Sequence, residues 1–311
     1  MLVVKKKCSV ELFTEAGGLA LGLEQSGWHH TLLIERDEHA CSTIRLNESR
    51  GHPAAKGWRL LANDVRTIRY ADFADHTDMV AGGPPCQPFS LGGRHRAYQD
   101  QRDMFPEAVR AVRELRPKCF GFRSDIGRKW SFPEPTHSLD RLLWDQWISG
   151  EYWEQHKVPR NQRPHFPKKL GARVRRLQSE FTLVPPCGQR YRTVRDALLG
   201  LTDPRKATNT TPNHEFRAGA RPYPGHTGSA LDEPSKALKA GDHGVPGGEN
   251  MIAFPDGLYR YYTVRECARI QTFPDDYVFG GSWTEAMRQL GNAVPVKLAN
   301  AVGESILKQI A

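Results

Sequence analysis

Six cysteines, Cys8, Cys41, Cys86, Cys119, Cys187 and Cys267, are spread along the chain, and no two form a C-x-x-C pair. This spacing provides neither a zinc ribbon nor a dithiol redox motif, so free thiols are expected. Most of them read as small core hydrophobes. Cys86 does not. It lies in Gly82-Gly83-Pro84-Pro85-Cys86-Gln87-Pro88-Phe89-Ser90, directly after the strand-like run Asp78-Met79-Val80-Ala81-Gly82. An open parallel sheet places its ligands at the carboxyl ends of its strands. Rigid prolines would fix the thiol there, in a setting that suits chemistry better than packing.

Two further segments could serve the same site. Phe13-Thr14-Glu15-Ala16-Gly17-Gly18-Leu19 joins a strand-like run to a helix-like one. Glycines there admit a ligand close to the backbone, and the helix start offers free N–H groups to an anion. Glu35 ends the next strand-like run, where nucleotide-binding folds place a carboxylate for ribose hydroxyls. Alone, the pattern also suits a plain tight turn. Gln289-Leu290-Gly291-Asn292-Ala293-Val294-Pro295-Val296 reads as a Gly-Asn turn, stopped by Pro, that leads into a helix. By itself it could be a simple connection.

The elements that must position these segments alternate. Ser9–Phe13 reads as a strand, Leu19–Gln25 as a helix ended by Gly27, and Thr31–Glu35 as a strand. His39–Asn47 follows as a helix, 78–82 as a strand and Met104–Leu115 as a helix. This β-α-β-α order predicts an α/β fold: a doubly wound, mostly parallel sheet with helices on both faces. Helical periodicity returns in Thr263–Thr272 and in the amphipathic run Val296–Ile310. Between them the pattern is lost. Aromatic residues from Trp130 to Phe166 are interleaved with charges, and 204–257 is rich in Gly, Pro, His and Asn. We read a smaller, loop-rich second domain there. The expected division is 1–123 for the first part of the α/β domain, 124–258 for a basic connecting region and the second domain, and 259–311 for the return to the first.

Composition narrows the function. The chain has 311 residues, 39% of them apolar, and no apolar run approaches the ~18 residues that a membrane span needs. The start is basic but lacks the apolar stretch of a secretory signal. The formal net charge is +9, and 157–206 alone holds 13 Lys or Arg against 3 acids. Such a concentration suits a polyanion partner, although a solvated face would look the same.

Together these segments resemble the DNA cytosine-5 methyltransferases, mostly bacterial modification enzymes. Phe13 to Gly18 is similar to the family's first cofactor motif, and Gly83 to Ser90 matches its nucleophile motif. Arg265-Glu266-Cys267-Ala268-Arg269-Ile270-Gln271-Thr272-Phe273-Pro274 and Gln289 to Val296 match its last two. The resemblance covers about 9–123 and 259–311. It implies transfer of a methyl group from S-adenosylmethionine to carbon 5 of a cytosine flipped out of a specific duplex DNA sequence, within a restriction–modification system. It implies Cys86 as the nucleophile at carbon 6. Phe13 would stack on adenine, Gly17 and Gly18 would approach the methionine portion, and Glu35 would take the ribose hydroxyls. Asp64 would accept from the adenine amino group, and Asn292 and Val294 would close the pocket. Ala16, Leu19, Val65, Gly82 and Pro84 complete the implied site. No metal and no membrane are implied. A bacterial enzyme of this kind would be cytoplasmic and nucleoid-associated, and a monomer unless a second chain contributes.

The chain departs from the family at two places. Glu15 stands where the family usually has Gly. After Phe120 the family continues with a strand ending in Glu-Asn-Val and later a Gln-x-Arg-x-Arg segment; neither occurs in this chain, which runs straight into Gly121-Phe122-Arg123. The chain reads as an internally shortened methyltransferase. Alternatives are a non-catalytic DNA- or cofactor-binding remnant, one chain of a two-chain enzyme, and an RNA cytosine methyltransferase, since a related branch uses the same Pro-Pro-Cys-Gln motif.

Overall fold

A computed structural model of the chain describes residues 6–84, 104–120, 123–124, 131–181, 184–206, 208, 210–240 and 250–310. They divide into two compact units. The first comprises 1–133, 239–245 and 267–311, and the second 134–238 and 246–266.

The first unit is built on one sheet. Its strands are β1 (Cys8–Leu12), β2 (His29–Glu35), β3 (Leu60–Ala62), β4 (Met79–Gly82), β5 (Cys119–Phe120) and β6 (Arg123–Ser124), in the spatial order β3-β2-β1-β4-β5-β6. All neighbours are parallel except β5 and β6, which run antiparallel. Only two residues separate β5 from β6. A parallel return needs a crossover of a dozen residues or more, so a link this short permits only a hairpin. The parallel part of the sheet therefore ends at β5 among the described residues.

Alternation along the strands sends side chains to two cores. Val10, Leu12, Leu32, Ile34 and Val80 pack with Ala108, Ala111 and Leu115 of α3 (Phe105–Leu115). Met79 and Ala81 face the other way, joining Leu23 of α1 (Gly18–Gln25) and Ile306 of α10 (Val296–Ile310). The sheet is thus covered on both faces, as the alternating element order implies. The strand order reverses between β1 and β4, where doubly wound sheets open a ligand crevice.

Helix α2 (Glu38–Ser49) is started by Asp37, whose carboxylate accepts from the Ala40 N–H at 2.9 Å. One expectation is corrected near the C-terminus. The Gly291-Asn292 pair is not in a turn but closes α9 (Trp283–Asn292). Ser282 caps that helix at the Glu285 N–H, and Ala286, Met287 and Leu290 are buried. The bend falls at Ala293–Pro295.

The second unit holds helices that the sequence does not announce. They are α4 (Leu139–Trp147), α5 (Glu151–Gln155), α6 (Gly171–Glu180) and α7 (Val194–Leu198). Tyr152 and Trp153, among the aromatic residues interleaved with charge, are core. Half-buried Trp147 meets Trp153 and the exposed Phe166 edge to face, with centroids 5.6 and 5.1 Å apart. Beyond Leu198 the unit is loop-rich. Its short strands β7 (His137–Ser138) and β8 (Gln189–Arg190) pair, as do β9 (Ser229–Ala230), β10 (Met251–Ala253) and β11 (Tyr259–Tyr261). Helix α8 (Val264–Ile270) carries the chain back to the first unit.

Candidate active site

The loop after β1 is wound in the left-handed region. Phe13 (φ 56°), Glu15 (φ 49°) and Gly17 (φ 82°) all have positive φ. Non-glycine residues in that region cost about 1–3 kcal/mol each and persist only where their surroundings fix them. Glu35 is one such fixture. Its Oε2 accepts the Glu15 N–H, and its Oε1 accepts the N–H groups of Arg36 and Asp37, all at 2.8 Å. One carboxylate at the end of β2 thus ties the β1 loop to the entry of α2.

This arrangement borders a cavity of about 180 Å³ at the carboxyl ends of β1, β2 and β3. Phe13, Glu35, Asp64 and Val65 line it, so four residues drawn from three separate sequence segments meet there. Asp64 is gripped by Arg66 at 2.6 and 2.9 Å, which holds its carboxyl well below the usual range.

The remaining expected residues lie elsewhere. Leu19, Gly82 and Val294 line a second cavity, about 300 Å³ and mostly apolar, beside α1, α10 and β4. Gly82 must lack a side chain, because a Cβ would sit 2.3 Å from the Leu12 carbonyl oxygen. Ala16, Gly17 and Gly18 line neither cavity. The Ala16 carbonyl accepts from the Tyr277 hydroxyl at 2.8 Å. A Cβ on Gly18 would meet the Val294 carbonyl oxygen at 2.6 Å, and one on Gly17 would meet the Trp58 ring at 3.0 Å. Their smallness is used by the protein's own packing. Asn292 reaches the first cavity indirectly, donating to Glu15 Oε1 at 2.8 Å. Pro84 is half-buried. Cys86 lies outside the described residues. Two of the other cysteines, Cys41 and Cys119, are buried thiols, pushed up by burial to about 11 and about 12. Neither supplies thiolate at neutral pH.

Sequence reasoning missed several groups at the first cavity. Arg36, Asp37 and Arg288 line it with Glu15. Arg288 donates to Asp37 at 2.7 Å and to Glu285 at 3.0 Å, with Glu15 Oε1 3.7 Å away. The run Glu35-Arg36-Asp37 at a strand end was a usable signal for the first two. Arg288 had none, being 251 residues from Asp37. Beneath the loop, the carboxyl of Glu11 is pushed well above its ordinary range by complete burial.

The profile of C-5 cytosine-specific DNA methylases matches residues 8–122 and 148–308. The chain belongs to that family. As a C-5 cytosine-specific DNA methylase it is a DNA methyltransferase, and its substrate is DNA. Among characterised relatives it is 31% identical to the type II methyltransferase M.NgoMIV of Neisseria gonorrhoeae over 317 residues, covering 97% of each. It is 28% identical to M.PspPI of a Psychrobacter species over 361 residues, covering 97% of this chain and 79% of that one. The second alignment is several dozen positions longer than the methylase itself, the first only slightly longer. The fold is shared with the Dnmt2 methyltransferase of S. pombe (TM-score 0.55, 15% identity), over 98% of this chain and 99% of that one. Among the described residues no helix is long and apolar enough to cross a membrane, and no group of His, Cys, Asp or Glu could hold a metal.

Proposed function

We propose that this methylase uses S-adenosylmethionine to modify cytosine in a specific duplex DNA sequence, as the modification partner of a type II restriction system in the bacterial cytoplasm. The observation that carries this reading is the first cavity. An aromatic ring (Phe13), a strand-end carboxylate (Glu35) and a loop carboxylate (Asp64) converge there from separate segments. The residues suit a ligand with a flat ring, neighbouring hydroxyls and positive charge. Glu35 Oε1 already has two donors but Oε2 has one, which leaves an acceptor site for a hydroxyl. At about 180 Å³ the cavity is smaller than the ~300–1,000 Å³ of most small-molecule pockets. It is sized for the nucleoside part.

When bound, the cofactor supplies an electrophilic methyl group. The chain's own residues orient and select. Glu35 fixes the loop that shapes the cavity, and Cys86 provides the thiol that adds to the cytosine. The second unit presents exposed cations to the phosphates. Lys157, Arg160, Lys168, Lys169, Arg175, Arg192 and Lys206 are exposed and pair with no acid among the described residues. By contrast Arg190 and Arg195 are committed to Asp196 and Asp232 at 2.6 Å. Free cations are the ones that can release counterions from DNA. The loop-rich stretch 205–257 is the region we assign to sequence reading.

Labelled S-adenosylmethionine with unmethylated DNA tests the proposal. Radioactivity should enter the DNA, and a 5-fluorocytosine duplex should form a covalent adduct that maps to Cys86. Label in transfer RNA but not DNA, or an adduct at Cys187, would overturn it. A second expectation concerns Glu35. Glu35→Ala should weaken cofactor binding by about 1.5–3 kcal/mol, the size of a charge-assisted hydrogen bond. It also strips three backbone N–H groups of their acceptor, so calorimetry should be paired with a melting curve, which should shift downward. Unchanged binding and melting in this variant would remove Glu35 from both roles.

A further inference from the structure

The wall of the first cavity carries four carboxylates, Glu15, Glu35, Asp37 and Asp64, against two guanidinium groups, Arg36 and Arg288. The next layer adds Arg66 on Asp64 and Glu285 on Arg288, one charge of each sign. The wall is therefore two charges negative when every group is ionised.

Three of the acids are committed. Both Glu35 oxygens hold backbone N–H groups, Asp37 caps α2 and pairs with Arg288, and Asp64 is gripped by Arg66. Glu15 is different. Its Oε1 accepts from Asn292, but its Oε2 is buried and has no hydrogen-bond partner among the described residues. A buried carboxylate oxygen without a donor is costly unless a positive charge comes to it.

We propose that Glu15 is a specificity residue that makes this cavity favour the cationic methyl donor over its neutral-sulfur product. The inference rests on the reading of the cavity as the S-adenosylmethionine site. Methyl transfer turns a sulfonium into a thioether. The two ligands share adenine, ribose and amino acid and differ by a methyl group and one positive charge. Uniform contacts to the shared parts cannot separate them, but fixed negative charge on the wall can. At an effective dielectric near 20, unit charges within roughly 10 Å of each other interact strongly enough for about a tenfold difference in affinity or more.

The selectivity is pH-dependent. Burial, then the neighbouring Glu35 charge, raise the Glu15 carboxyl to about 7, against the pull of Arg288 and Asn292, with Asp37 adding to the rise. Below that pH Glu15 is neutral and the wall is only one charge negative. Above it the second charge appears and the donor gains. Binding of the cation also draws the carboxyl toward ionisation, so near pH 6.5 donor binding expels a proton and product binding expels less.

Calorimetry of the intact chain with S-adenosylmethionine and S-adenosylhomocysteine, at pH 6 and pH 8, tests this. The ratio of product Kd to donor Kd should rise several-fold between the two pH values. In Glu15→Gln the ratio should be flat, somewhat below the wild-type pH 6 value. Glu15→Gly, which also relieves the positive φ, should behave the same and guards against a folding defect in the first variant. Repeating the titration in buffers of different ionisation enthalpy reads the expelled proton. A ratio that is flat in the wild type, or that rises equally in both variants, overturns the role of Glu15 while leaving the cofactor site standing. Failure of the folded wild type to bind either ligand overturns the cofactor reading itself, and this inference with it.

Discussion

Inserting a strand that ends in Glu-Asn-Val, followed by a Gln-x-Arg-x-Arg segment, between Phe120 and Gly121 is expected to raise methyl transfer about 10²–10⁴-fold, the range typical of general acid catalysis. Thiolate addition at carbon 6 builds electron density on the cytosine ring, and N3 needs a proton or a strong hydrogen bond to take it. The resemblance to the family implies that the Glu of that block serves N3. Glu114 is a poor substitute. Burial nudges its carboxyl up, but Arg110 at 2.9 Å and the Tyr70 N–H at 3.1 Å hold it below the ordinary range. An acid so held does not donate a proton near neutrality. The backbone can accept the insertion, because among the described residues β5 lies next to the end of the sheet and carries only the two-residue strand β6 beyond it. Single-turnover transfer to unmethylated DNA compares the two chains. If the 311-residue chain alone already matches the extended one, some other group supplies the acid.

The second large effect is on stability. Gly22 of α1 faces α10, and a Cβ there would lie 2.3 Å from the Val296 carbonyl oxygen, 2.4 Å from the Ala299 Cβ and 2.8 Å from the Asn300 nitrogen. All three atoms belong to the body of α10, so no side-chain rotation relieves the clash. Overpacking usually costs about 1–3 kcal/mol, and more when backbone must move. Gly22→Ala should therefore lose about 3 kcal/mol, and Gly22→Val should leave the first unit unfolded, since native proteins hold only about 5–15 kcal/mol in reserve. Gly83→Ala is the control, because a Cβ there meets nothing within 4 Å among the described residues. Thermal melts followed by circular dichroism read the difference. A Gly22→Ala protein melting together with the Gly83→Ala control would mean that α10 shifts at little cost.

The central strands were legible because buried parallel strands are continuous apolar runs bounded by turn residues, as in β1, β2 and β4. Leu60–Ala62 and Cys119–Phe120 are too short to show a period, and their pairing is set by neighbours far away in sequence. Helix α9 was hidden by Gly291-Asn292, which reads as a turn locally but is carried into the helix by the buried Met287 and Leu290. At the site, Phe13, Glu35, Asp64 and Val65 could be named from motifs because each sits at the end of a strand. Arg288 could not, since its partners Asp37 and Glu15 come from the other end of the chain. The role of Gly17 and Gly18 was only half visible. The need for a missing Cβ can be read from sequence, but whether a ligand or the protein fills that space cannot.

The cover that α10 gives to α1 and to Met79 and Ala81 also fixes the order of events at the ribosome. Among the described residues the strands of the sheet are all made by residue 124, yet the face that α1 and α10 share is only partly covered until Val296–Ile310 has been synthesised. At about 5–20 residues per second, that wait is on the order of ten seconds or more. Through it the nascent chain exposes the apolar surface of Leu23, Trp28 and Met79 that Ile306 later packs against, the kind of surface that favours aggregation while it is open. A chain released before α10 is expected to leave that face open and to be cleaved by proteases more readily than the finished protein. Fragments of this methylase should not accumulate in the cell beside the finished protein.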